Sequence, residues 1–465
     1  MKNFYLLLLI TFICIKVIQT KLPKIGGSFI EDWMYIHYNE SRWEQEVKYY
    51  YDLGLKYFIL GSVANEDWIP ITPLEPGQYE FDWTKYVLKD DLWSNRIVYN
   101  SSEFPHLYYP GNDGLLFCFK YCKKYGLKAF IGPVTDGRFA RYGWGVENMK
   151  NYFPSWIDDF VKKSEKIYKE IWEKYKDYRD QIAGFYFWPE YWNFYEGCNP
   201  NANQEHHEVW KTLFGKLLHD FDEMVSNITS NSKPILMSPF HNFDICTAEN
   251  NSNWLIEFFN YTKLRKGTIY APQDSMGGHY KNHIHDIGEW CKGEKRACDS
   301  AGIRYWINNE IFRDKDDERY PDRDPDVPCA PFEEVINQVK ETDIAETHLF
   351  FTLTWYGTRN VIEYWTDHAK NKSFEFYYKF KEYCDKYNHD TEDEKENKEN
   401  KENEGNKGNG NDKKDETLLN EDKSYWWLWV LIILLLLITI GAVIYIYFRR
   451  NKAQKDDQLI GSINV

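Results

Sequence analysis

This 465-residue chain is short of positive charge. It holds 57 lysines and arginines against 72 aspartates and glutamates, a formal net charge of −15. Nucleic-acid phosphates attract basic surfaces, so the balance argues against nucleic acid as a partner. A glycine-rich dinucleotide fingerprint is missing after the first strand-like run, Ile25–Ile30. That weighs against an open, doubly wound sheet. Cys118 and Cys122 lie four apart, but no His/Cys cluster converges on them, so neither metal nor cofactor is expected. From His389 to Ser424 apolar residues nearly vanish; the run Glu394-Lys-Glu-Asn-Lys-Glu-Asn-Lys-Glu-Asn-Glu-Gly is almost all charge and amide. Such a segment has little to bury and is expected to be a disordered stalk.

Long apolar runs are few, and each carries a message. Phe4 to Ile15 follows Met-Lys-Asn and precedes Thr20, the layout of a secretory signal over residues 1–20. Tyr425 to Phe448 contains no charge. At about 1.5 Å per residue this segment is about 36 Å long, enough for one membrane-spanning helix. Trp426, Trp427 and Trp429 mark one edge, Tyr445 and Tyr447 the other, and Arg449, Arg450 and Lys452 follow. These flanks predict a cytoplasmic tail at 449–465 and a type I protein at the plasma membrane with its bulk outside the cytosol. The tail's Lys455-Asp-Asp-Gln-Leu-Ile loosely resembles an acidic dileucine signal, which would add endosomal or lysosomal routing.

Beyond Cys14, the cysteines are Cys118, Cys122, Cys198, Cys246, Cys291, Cys298, Cys329 and Cys384, all before the apolar run. An even number outside the cytosol suggests disulfides, with connectivity left open. Glycan acceptor triplets begin at Asn39, Asn100, Asn227, Asn250, Asn260 and Asn371.

Residues 21–388 alternate between short apolar runs and helical patterns. Strand-like runs fall at 25–30, 56–63, 128–134, 182–188, 234–238, 268–271, 304–308 and 348–354. Helices are expected at 43–53, 115–125, 154–176, 205–226, 254–262, 283–300, 332–341 and 373–387. Gly54, Gly126, Gly267 and Gly302 stand just before strands, where a left-handed residue ends a helix. Strands apolar on both sides suit a parallel sheet covered on both faces. Eight such units predict an α/β fold, a (β/α)8 TIM barrel, whose sites gather at the C-terminal ends of the strands.

Two of those ends carry glutamates: Glu190 closes Gly184-Phe-Tyr-Phe-Trp-Pro-Glu on strand four, and Glu310 closes Arg304-Tyr-Trp-Ile-Asn-Asn-Glu on strand seven. Side chains alternate along a strand, so an axial Glu190 brings Trp188 and Tyr186 with it, and an axial Glu310 brings Asn308 and Trp306. Apolar neighbours of Glu190, Trp192 among them, favour its protonated form and a role as proton donor. Asn308 and Asn309 can hold Glu310 ionised as a nucleophile. Carboxyls about 5–5.5 Å apart retain anomeric configuration; about 6.5–9.5 Å implies inversion. Substrate contacts are expected from Glu31 and Trp33 after strand one, Asp136 after strand three, His241 and Asn242 after strand five, Asp274 after strand six, and Trp355 and Tyr356 after strand eight. With 19 Trp, 36 Tyr and 29 Phe, ring faces for stacking on sugars are abundant.

The runs Gly26-Gly-Ser-Phe-Ile-Glu-Asp-Trp, Ala183-Gly-Phe-Tyr-Phe-Trp-Pro-Glu-Tyr-Trp, Leu236-Met-Ser-Pro-Phe, Ala271-Pro-Gln-Asp-Ser-Met-Gly and Trp306-Ile-Asn-Asn-Glu-Ile-Phe resemble a family of unknown function described as glycoside-hydrolase-like barrels. The resemblance covers roughly residues 22–388. The larger clan it resembles, retaining glycosidases on this barrel, carries its acid/base on strand four and its nucleophile on strand seven, which implies those roles for Glu190 and Glu310. It implies sugar stacking for Trp355. The clan usually has Asn before the strand-four acid, where this chain has Pro189. A carbohydrate substrate is thus expected for a cell-surface glycosidase; the alternative is an inactive carbohydrate-binding or adhesion protein on the same barrel. A purely structural surface protein is a third reading.

Overall fold

The computed structural model describes residues 24–66, 95–136, 150–151, 153–190, 198, 204–277, 286–313, 329–357 and 367–387. The signal, linker, apolar run and tail expected at the two ends lie outside these residues. Among the described residues, no helix is long and apolar enough to cross a membrane.

Nine strand segments form one parallel sheet. They amount to eight strands, because Arg304–Tyr305 and Ile307–Glu310 are one run interrupted at Trp306. The first half pairs with Ile269–Tyr270, the second with His348–Phe351. His348–Phe351 in turn pairs with Ile25–Ile30, so the sheet closes into a barrel. The remaining strands are Tyr57–Leu60, Lys128–Ile131, Ile182–Phe187 and Ile235–Met237, in sequence order around the ring.

Alternation along these strands creates two cores. One side chain from each strand fills the interior: Phe29, Ile59, Phe130, Tyr186, Leu236, Ile269, Trp306 and Leu349. Their neighbours in sequence, such as Phe58, Phe185, Ile235, Tyr270, Tyr305 and Phe350, point outward into a larger core beneath the helices. Glu40–Asp52 begins where Asn39 accepts the Arg42 backbone N–H, and Gly114–Tyr125 where Asp113 accepts that of Leu116. Gly126 and Gly302, at φ 74° and 69°, end their helices in the left-handed region.

Three features depart from the sequence reading. Strand eight stops at Phe351, and Leu353–Tyr356 turns into a short helix. Ser28 Oγ accepts the Leu353 N–H at 2.8 Å and donates to Phe350 O at 2.8 Å, so a strand-one hydroxyl takes over the chain exit. Beyond strands two and three, Ala64–Glu66, Arg96–Ile97 and Val134–Asp136 form a separate small sheet. Finally, Cys198 and Cys246 form a disulfide, whereas Cys118, Cys122, Cys291, Cys298 and Cys384 are buried thiols seated among helix-core side chains. The bridge closes 48 residues of chain, worth about 4 kcal/mol in the chain-entropy account. It ties the loop after strand four to the loop after strand five.

Candidate active site

The alternation that fills the interior continues upward. Two residues beyond Tyr186, Leu236, Ala271 and Trp306 come Trp188, Ser238, Gln273 and Asn308 on the same side of their runs. Hydrogen bonds belt this row together. Asn308 Nδ2 donates to Ser238 Oγ at 3.1 Å, Gln273 Nε2 donates to Ser238 O at 3.2 Å, and Gln273 bridges to Asn308 along the backbone. Asn308 Oδ1, buried in the belt, has no hydrogen-bond partner among the described residues.

One further step along strands four and seven stand Glu190 and Glu310. Gln273 Nε2 donates to Glu190 Oε1. Burial pushes the half-buried Glu190 carboxyl above its ordinary range, against the opposing pull of that hydrogen bond. Glu310 is buried; its Oε2 accepts the Gly277 N–H at 2.7 Å. A Cβ on Gly277 would lie 2.8 Å from that oxygen and 2.8 Å from the Phe312 ring, so the close approach requires glycine. Residues 272–277 therefore supply a donor to each glutamate. Glu31 joins them from strand one. Its carboxyl is raised to about 8 by burial first, then by the charges of Asp32 and Glu190, with Arg96 opposing. Tyr186, beneath, is raised by burial and by the charges of Glu190 and Glu31.

Aromatic rings follow strands one, seven and eight. Trp33 and Trp355, both half-buried, meet edge to face at 4.5 Å. Tyr356 stacks on Phe312 at 5.6 Å.

Asp274 and His241 are held by groups of the scaffold. Asp274 is buried and accepts from four donors: Asn309 Nδ2 at 2.8 Å, Gln338 Nε2 at 3.0 Å, and the backbone N–H groups of Glu310 at 3.0 Å and Met276 at 3.2 Å. Burial raises its carboxyl while these bonds pull the other way. Asn242 folds back on its own loop, accepting the Asp244 N–H at 2.9 Å. His241 lies on the helix side of the barrel, with Nε2 3.3 Å from Tyr270 Oη and 3.1 Å from Glu294 Oε1. Burial drives His241 down to about 3 and Glu294 up to about 8, favouring the uncharged form of each. Asp136 ends the small sheet, opposite Glu66. Trp192 lies outside the described residues. Gln273, Gly277, Ser238 and Gln338 are site residues that the sequence reading did not assign. Gln273 was reachable by counting two residues on from Ala271. Away from the mouth, His207, Glu208 and Glu257 gather with metal-ligand spacing, but Lys211 Nζ already bonds Glu208 at 2.8 Å and Glu257 at 2.6 Å.

The buried titrating groups predict a stability profile. In the fold Glu31 and Glu294 keep protons that the unfolded chain releases above about pH 4.3, so stability falls as pH rises from there to 8. His241 and His348, both held down to about 3 by burial, stay neutral where the unfolded chain protonates below about pH 6.5. Their contribution falls as pH drops. The slopes oppose each other between about pH 4.3 and 6.5 and leave a plateau. The thermal midpoint should be highest there and decline from about pH 6.5 to 8; a midpoint that climbs across that upper interval contradicts the assignment.

Comparison with known proteins adds the following. A family described as a domain of unknown function, DUF4434, matches residues 25–358. No curated protein matches the chain. Among solved structures, a proposed alpha-L-fucosidase from Bacteroides thetaiotaomicron is similar at 15% identity, over 77% of this chain and 94% of that one, with a TM-score of 0.53. An endo-1,4-beta-D-mannanase from Thermotoga petrophila is similar at 12% identity, over 78% and 99%, with a TM-score of 0.47. At such identities the first likeness carries the barrel fold and nothing finer.

Proposed function

Starting from the premise that the chain belongs to the DUF4434 family, we propose that it is a glycoside hydrolase using Glu190 as acid/base and Glu310 as nucleophile, with retention of configuration. One observation carries the reading: a single loop, residues 272–277, donates hydrogen bonds to both glutamates at the C-terminal ends of strands four and seven. Burial favours a proton on Glu190, which can protonate a leaving oxygen. The Gly277 N–H holds Glu310 Oε2 in place, and the Glu310 carboxylate attacks the anomeric carbon. Water then enters with Glu190 as base. Trp33 and Trp355 offer rings for a sugar face, and Asn308 Oδ1 offers an unfilled acceptor. The fucosidase and mannanase likenesses make fucosides and mannosides the first substrates to try.

The charge-free run at 425–448, the signal-like leader and the acceptor triplets support a glycosylated protein at the cell surface, with the catalytic barrel outside.

The test is turnover by the purified full-length chain of a panel of p-nitrophenyl glycosides, with the first-formed anomer read by proton NMR. Release of nitrophenol with the substrate's own anomeric configuration is expected. Inverted product removes the nucleophile role of Glu310. Sugar binding without any turnover favours a carbohydrate-binding protein, the reading that Pro189 supports by standing where the clan has Asn.

A further inference from the structure

Among the described residues, Glu31 differs from the other carboxylates of the site in having no hydrogen-bond or ion-pair partner. Glu190 is held by Gln273, Glu310 by Gly277, and Asp32 by Arg96 Nε at 2.7 Å. The Glu31 carboxyl is half-buried and, among the described residues, takes part in no hydrogen bond or ion pair, not even as a cap on the short helix it precedes. It occupies the space over Gly61, where a Cβ would collide with both carboxyl oxygens. It stands two residues beyond Phe29, whose ring meets Tyr186 of strand four at 5.3 Å across the interior. The charged and titratable groups around it are Asp32 and Arg96, Glu190 and Tyr186, and Tyr35. Arg96, the one cation among them, is already bound to Asp32.

Burial, with no hydrogen bond or ion pair to the Glu31 carboxyl among the described residues, favours its protonated form. A protonated carboxyl offers one O–H donor beside one carbonyl acceptor, a match for sugar hydroxyls. We propose that Glu31 works as a neutral carboxylic acid, donating its O–H to a hydroxyl group of a bound sugar from the recess over Gly61, so that the site takes neutral sugars and loses them in alkali. This rests on the glycosidase reading. Its value of about 8 sets where the proton is lost.

The test uses the full-length chain and uncleavable p-nitrophenyl thioglycosides of fucose, mannose and glucosamine, with affinity measured by calorimetry from pH 6 to 10. The parent should bind the neutral sugars evenly up to about pH 8 and then about tenfold more weakly per pH unit. Glu31→Gln keeps amide donors at every pH and should show no such fall. Gly61→Ala, whose added Cβ has the Glu31 carboxyl as its nearest neighbour, should weaken binding about tenfold or more at pH 7. Neutral-sugar affinity unchanged across pH in the parent, an alkaline fall that survives in Glu31→Gln, or a preference for the glucosamine compound overturns the proposal and leaves the glycosidase reading standing. Failure of every thioglycoside to bind the parent at any pH overturns both.

Discussion

Glu310→Gln is expected to lower kcat/KM on an aryl glycoside by roughly 10⁴-fold or more, about 5.5 kcal/mol of transition-state stabilisation, while the thermal midpoint stays within about 2 °C of the parent. The two halves of this expectation come from one contact. A glutamine at 310 still presents an oxygen to the Gly277 N–H, so the scaffold is satisfied. It carries no charge to attack carbon, so the covalent step is lost. Glu190→Gln should behave differently. Removing a general acid costs about 10²–10⁴-fold when the leaving oxygen needs a proton, and far less when the leaving group departs as a stable anion. A nitrophenyl and a simple alkyl glycoside compared side by side therefore separate the roles. Parent-like turnover by Glu310→Gln, or equal losses on both substrates for Glu190→Gln, would remove the assigned chemistry. A large drop in thermal midpoint would assign Glu310 to the scaffold instead.

Asp274→Ala should destabilise the barrel by about 3–5 kcal/mol and abolish activity with it. Its carboxyl accepts from side chains on strand seven and on the helix Phe332–Glu341, and from two backbone N–H groups. Alanine strands all four donors in a buried place, and each orphan costs about 1–3 kcal/mol. The Glu310 backbone is among them, so the nucleophile loses its anchor as well as its support. Urea unfolding of parent and variant measures this directly. A midpoint shift equivalent to under about 1 kcal/mol would mean that the network around Asp274 relaxes at little cost.

How far the sequence could be read follows from the length of each pattern. Strands one to seven carry at least a few residues of apolar run between turn signals, and the closed ring follows their order. Glu190 and Glu310 were legible because a two-residue period from Tyr186 and Trp306 leads to them. The small sheet was not, since Arg96–Ile97 is too short to show any period. Polar residues just past a strand were ambiguous for another reason. His241 and Glu31 both follow strands, yet one turns under a helix to Glu294 and the other faces Glu190. Which way a loop residue turns depends on partners distant in sequence, and no local pattern encodes them. The cysteines illustrate the same limit: an even number suggested several bridges, while the fold joins Cys198 to Cys246 and packs Cys118 and Cys122 side by side as thiols.

Residues 272–277 touch both glutamates, and they are fixed from below by Asp274. In the proposed mechanism, reactivity is therefore wired to one short segment between strands six and seven. For anyone wishing to redirect this scaffold to a different sugar, that segment is the part to leave alone.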